Sequence, residues 1–180
     1  MEGLTPKQMK AYENVALSDR DIMSLLNNDT NLELYPKLHL YHSIYDLLGP
    51  ARSCVLLFAS KPTYGHWTCI FERDGDLEFF DPYGTWPDDS LAFISPQART
   101  ELRQDYTYLS KLMLGYNGTL SYNQYHFQKH NPGLRTCGRH CVVRLLNRHL
   151  SLNDYKTYLE YVIEMYKLKD YDQAVTLLTS

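Results

Sequence analysis

Apolar residues divide this chain into helix-spaced ends around a strand-spaced middle. Residues 5–16 suit a short helix. Ser18-Asp19-Arg20-Asp21 reads as an N-cap with an acidic residue three positions on, and Ile22, Leu25 and Leu26 then share one face. A second apolar helix is predicted over residues 40–48, stopped by Gly49-Pro50. Residues 53–59 are almost continuously apolar, the mark of a strand buried on both faces. Residues 66–72 and 76–80 flank Arg73-Asp74-Gly75, a hairpin signal. Residues 84–96, with Gly84, Pro87 and Pro96, read as a surface loop, and helical spacing returns over 97–114. A further strand is predicted over 120–127. Beyond Pro132 and Gly133, the spacing of Cys141, Val142, Leu145 and Leu146 predicts a mostly buried helix with Cys137 at its start. Two amphipathic helices over 151–179 should cover the core. The sum is an α+β fold: a small mixed sheet flanked by helices, one of them central and buried, within a single domain over residues 1–180.

Composition narrows the function. The 44% hydrophobic and 22% charged fractions suit a globular protein, and a net charge of −3 provides no field to hold a polyanion. Nothing resembles a signal peptide, and no run reaches the roughly 18 apolar residues of a spanning helix. Cys54, Cys69, Cys137 and Cys141 fall at no zinc-ligand spacing. A reducing compartment is therefore expected, with the sequons at Asn28 and Asn117 unused.

The chemistry centres on Cys137. A helix start presents unpaired N–H groups and the positive end of the dipole, which bias a thiol toward thiolate. In the hairpin, His66 and Asp81 fall within about two residues of register at the open end, where side chains of neighbouring strands can touch. A carboxylate there would orient the imidazole, and the imidazole would take the thiol proton. Acyl transfer also needs oxyanion donors: the Cys137 N–H is one, and Gln128 is the choice for the other, with Asn131 and Gln124 as rivals.

Taken singly, each residue has a plain reading. Cys137 alone is a buried thiol, His66-Trp67 a strand histidine beside a core tryptophan, and Asp81-Pro82-Tyr83-Gly84 a turn. Cys141, one turn deeper, should be buried, and Cys54 and Cys69 should be core thiols. His126, His130 and His140 are expected in surface or loop roles, with no metal bound. Arg139, Arg144 and Arg148 are expected on a solvated or partner-facing surface.

Together, Gly65-His66-Trp67, Phe80-Asp81-Pro82-Tyr83-Gly84, Gln128 and Thr136-Cys137-Gly138 resemble the adenain/Ulp-type cysteine proteases. That family includes the adenovirus maturation protease and the deSUMOylating and deubiquitinating enzymes. Its order is His, Asp or Glu, Gln, Cys, and the resemblance covers residues 53–148. The block from Phe80 to Gly84 is similar to the Phe-Glu-Pro-Phe-Gly of the adenovirus enzyme, and Cys-Gly-Arg before an apolar helix is similar to maturation proteases of virophages and polinton-like elements. The interval from Gln128 to Cys137 is nine residues, against an expected six or seven.

The resemblance implies an adenain/Ulp-like, circularly permuted papain-like fold. It implies a thiol endopeptidase with Cys137, His66, Asp81 and Gln128 as catalytic residues. Trp67 would form part of a narrow tunnel that favours glycine before the scissile bond. The expected substrate is a viral capsid precursor; the alternative is a ubiquitin-like deconjugase with Gly-Gly specificity. No cofactor is predicted, although viral members can use an activating peptide or DNA. The expected protein is a monomer without membrane contact, with at most a weak nucleic-acid contact. It would be found in the host cytoplasm or viral factory and in the virion.

Overall fold

The computed structural model describes residues 3–62 and 64–180. Helices α1 (Pro6–Glu13) and α2 (Asp19–Leu25) come first. Thr5 with Gln8, and Ser18 with Asp21, form capping boxes that fix where each begins. Strand β1 (Asn31–Leu34), a 3₁₀ turn (Tyr35–Leu40) and α3 (Ile44–Leu48) lead into β2 (Ser53–Lys61), β3 (Tyr64–Arg73) and β4 (Asp76–Phe80). A second 3₁₀ turn (Asp89–Phe93), α4 (Pro96–Glu101) and α5 (Tyr108–Met113) precede β5 (Thr119–Tyr122). Then come α6 (Cys137–Leu146), α7 (Leu152–Tyr166) and α8 (Tyr171–Leu178).

The five strands lie in the order β1-β2-β3-β4-β5. The outer pairs β1–β2 and β4–β5 are parallel, and the inner pairs are antiparallel. The sheet is therefore mixed, as expected, and both of its faces are covered. Val55, Leu57, Trp67, Cys69, Phe71 and Phe80 pack on one side with residues of α2, α6, α7 and α8. Cys54, Leu56, Phe58, Ile70, Leu77 and Phe79 pack on the other with the 3₁₀ turns, α3 and α5. Burial on two faces is why β2 has no polar alternation. The β3–β4 turn is two residues long, with Arg73 paired to Asp76, and Asp74 (φ 51°) and Gly75 (φ 80°) are left-handed. That is the backbone a twisted two-residue hairpin demands and glycine accepts.

Several expectations are corrected. The helix predicted over 40–48 is a 3₁₀ turn ending at Leu40 followed by α3, whose start is set by the Ser43 hydroxyl accepting from the Asp46 N–H. The helical stretch 97–114 is broken into α4 and α5 around Arg103, which has φ 56°. Strand β1 carries too few apolar residues to stand out. The strand predicted over 120–127 stops at Tyr122, because the next residue, Asn123, turns its side-chain amide onto the main chain of Asp81. Its Oδ1 accepts from Asp81 N–H at 2.9 Å and its Nδ2 donates to Asp81 O at 2.6 Å.

The arginines are the largest correction. Arg139 and Arg144 are buried rather than solvated. Arg144 donates from Nε and Nη2 to the two carboxylate oxygens of buried Glu78, at 2.9 and 2.8 Å, and to the carbonyls of Asn147 and Leu150. Its guanidinium sits 4.8 Å from the ring centres of both Phe71 and Tyr155. This fork ties the C-terminal end of α6 to β4. Glu78→Ala would strand a buried cation, which costs about 3–5 kcal/mol. Denaturant unfolding of the variant should show a loss of that order.

Candidate active site

Three local structures converge at one end of β3 and β4. The first is the hairpin mouth. The last paired residues are Cys69 and Phe80, so His66 and Asp81 sit two residues out of register, diagonal rather than opposite. The imidazole is long enough to bridge that diagonal, and His66 Nε2 lies 2.8 Å from Asp81 Oδ1. Its other ring nitrogen, Nδ1, is thereby left for Cys137.

The second is the turn after β4. Asp81 is fully buried and fully used. Oδ1 also accepts the Tyr83 N–H at 2.8 Å, while Oδ2 accepts the hydroxyls of Thr85 and Ser90, the latter at 2.9 Å. The turn closes by a Gly84 N–H to Asp81 O bond of 2.7 Å, with Gly84 at φ 71°. Burial alone would raise the Asp81 pKa. The charge and hydrogen bond of His66, then the Thr85 hydroxyl and the Tyr83 N–H, hold it below the usual carboxylate range. Tyr83 stacks on the outer face of His66 at 4.7 Å, and His130 stacks on Tyr83 at 4.3 Å, so the imidazole cannot swing away from Asp81 without breaking a stack of three rings.

The third is the start of α6. Thr136 precedes it with no side-chain cap, because its hydroxyl is given to Asp172 instead. The Thr136 hydroxyl therefore does not occupy the first N–H groups of the helix beside Cys137. The Cys137 side chain and the His66 ring each act on the other's titration. Burial alone would raise its pKa; His66, followed by the N–H groups of Trp67 and Gly138, brings it below the ordinary thiol value. Burial likewise would lower the His66 pKa, but the Asp81 carboxylate and then the Cys137 thiol push it up to about 10. Each of the two shifts favours the charged form of its own group, which is the electrostatic description of a thiolate–imidazolium pair.

Among the oxyanion candidates, Gln124 and Asn131 are exposed, and Asn131 Oδ1 already accepts the Gly133 N–H at 2.9 Å. Gln128 is buried, with Oε1 unpartnered among the described residues. Its N–H donates to Pro82 O at 2.9 Å, which sets it against the residue following Asp81. A buried amide oxygen without a protein partner is uncommon. Trp67 is buried beside α6 and donates Nε1–H to Leu17 O at 3.3 Å. Two clefts meet at Gly65. One, of about 280 Å³, is walled by His66, Tyr83, Ser90, Phe93 and Ile94; the other, of about 580 Å³, by Leu17, Leu34, Leu57, Tyr64 and Trp67.

Cys54, Cys69 and Cys141 are fully buried free thiols, as expected. His140 is a correction: it is fully buried on α6 with Nε2 at 3.0 Å from Asp172 Oδ1, not in a surface or loop role. Sequence reading missed Thr85, Ser90, Asn123 and Asp172. Nothing in their local sequence singles them out, and only the path of the chain brings them to the site.

No family model matches this chain. A solved structure of the ASFV pS273R protease superposes with a TM-score of 0.50 at 14% identity, covering 99% of this chain and 71% of that one. The two share a fold, which in this chain is a five-stranded mixed sheet flanked by helices. The uncharacterized protein V9 of Sputnik virophage is 47% identical over 174 residues, covering 96% of this chain and 99% of the relative. At that identity and coverage the conclusion is direct: the chain belongs to the same family as the virophage protein V9.

Proposed function

We propose that this protein is a thiol endopeptidase that matures viral structural precursors, cutting at glycine-containing sites. The observation that carries the reading is the His66–Asp81 bond of 2.8 Å, coupled through the imidazole to a thiol at the start of a buried helix. In this scheme Asp81 holds His66 Nε2–H, and His66 Nδ1 takes the Cys137 proton. The thiolate attacks the scissile carbonyl. The developing oxyanion meets the Cys137 N–H and the Gln128 amide, donors whose loss individually costs about 3 kcal/mol. His66 then returns the proton to the leaving amine, and water releases the acyl group by the same route. Trp67 narrows the cleft beside the nucleophile, which favours residues without side chains there. The family's virophage member supports a viral setting.

The test is to incubate the protein with the structural proteins encoded beside its gene and to sequence the new N-termini. Cleavage next to glycine, absent with Cys137→Ala, is the expected result. Release of ubiquitin or SUMO from conjugates, with structural precursors left whole, would assign the protein to the deconjugases instead.

A further inference from the structure

The segment between Gln128 and Cys137 is longer than the family resemblance leads one to expect, and its two ends must hold the two oxyanion donors at a fixed spacing. A loop of this length does not do so by itself. One side chain spans it. Asp172, fully buried at the start of α8, accepts the Lys129 N–H at 3.1 Å with Oδ2. Its Oδ1 accepts the Thr136 hydroxyl at 2.5 Å and faces His140 Nε2 at 3.0 Å. Lys129 directly follows Gln128, and Thr136 directly precedes Cys137. Two oxygens of one carboxylate thus grip both ends of the loop, while His140 anchors the same oxygen to the body of α6.

We propose that Asp172 is a positioning residue that sets the distance between the Gln128 amide and the Cys137 N–H. Resting on the endopeptidase reading above, this gives the C-terminal helix a role in catalysis that covering the core does not require. The surroundings agree. Burial alone would raise the Asp172 pKa, but His140, then Thr136 and the Lys129 N–H, hold it in the carboxylate form needed to accept three donors. The Lys129 ammonium reinforces the grip from outside, donating to Asp170 at 2.7 Å. The Arg135 N–H donates to Glu13 O at 2.8 Å, so the loop is also pinned to α1. Because the Thr136 hydroxyl is drawn to Asp172, it does not cap the N–H groups of α6.

The experiment compares wild type with Asp172→Asn, Thr136→Val and Thr136→Ser. It reads peptide hydrolysis, Cys137 alkylation by iodoacetamide, and amide hydrogen exchange across residues 129–140. Alkylation needs the thiolate but no oxyanion donors, so it separates the two functions of the site. Asp172→Asn and Thr136→Val should each lower kcat about tenfold or more, with KM within twofold and the alkylation rate and its pH profile unchanged. Exchange at Lys129 should quicken while β3 and β4 stay protected. Thr136→Ser, which keeps the hydroxyl, should keep kcat. An unchanged kcat in Asp172→Asn, or a kcat and an alkylation rate that fall together with global loss of protection, would overturn the proposal. A wild type that cleaves nothing would instead sink the endopeptidase reading, and this inference with it.

Discussion

Cys137→Ala should leave no measurable peptide hydrolysis and a melting transition close to that of wild type. The thiol is the group that forms the acyl bond in the proposed mechanism, and His66 holds its pKa below the ordinary thiol value. Loss of the thiol should cost on the order of 10⁶-fold, the scale seen when a triad nucleophile is removed. No neighbour can substitute. Cys141 lies one turn deeper in α6, is fully buried, and has its thiol pKa pushed up by burial and then by Cys69. The fold should survive, because α6 is also held by Val142, Val143 and Leu145 in the core and by the Arg144–Glu78 fork. A variant that still cut substrate would place the nucleophile elsewhere.

Asp81→Asn should slow turnover by about 10³-fold, within the range supplied by acid–base groups. In the serine proteases the equivalent change costs about 10⁴-fold because the amide imposes the wrong imidazole tautomer. Here the tautomer should be kept. The Tyr83 N–H already donates to Oδ1, the oxygen facing His66, so an Asn side chain would be turned with its oxygen toward both donors. Its NH₂ would meet the Thr85 and Ser90 hydroxyls, which can rotate to accept. Only the charge is lost, and with it the largest influence raising the His66 pKa. The rate of Cys137 alkylation at neutral pH should fall in parallel with kcat. Full activity in Asp81→Asn would remove the carboxylate from the mechanism.

Those residues were legible in the sequence because their signals are short-range. Asp74-Gly75 fixes the hairpin register, and the register brings His66 within a diagonal of Asp81. The apolar spacing from Cys141 onward fixes where α6 begins. What the sequence hid depends on contacts far along the chain. Asn123 ends β5 early by bonding a residue 42 positions away. Asp172 reaches back 36 positions to Thr136. Arg139, His140 and Arg144 carry the composition of a wet helix face, and partners distant in the chain, among them Thr179, Tyr12, Asp172 and Glu78, make their burial tolerable. Gln128 lies between the two cases: the strand predicted over 120–127 pointed to it, but that strand ends at Tyr122, and the Gln128 main-chain N–H is held instead by Pro82 O.

The central claim is that Cys137 and His66 form an ion pair, and the rate of Cys137 alkylation against pH tests it most directly, with the modified residue located by mass spectrometry. A thiol pKa held down and an imidazole pKa held up to about 10 leave a window between them in which both are charged. The rate should therefore rise at a pH below the ~8.5 of a free thiol and then stay level until the imidazole loses its proton. A single rise at or above that value would describe an isolated thiol, and would contradict the account.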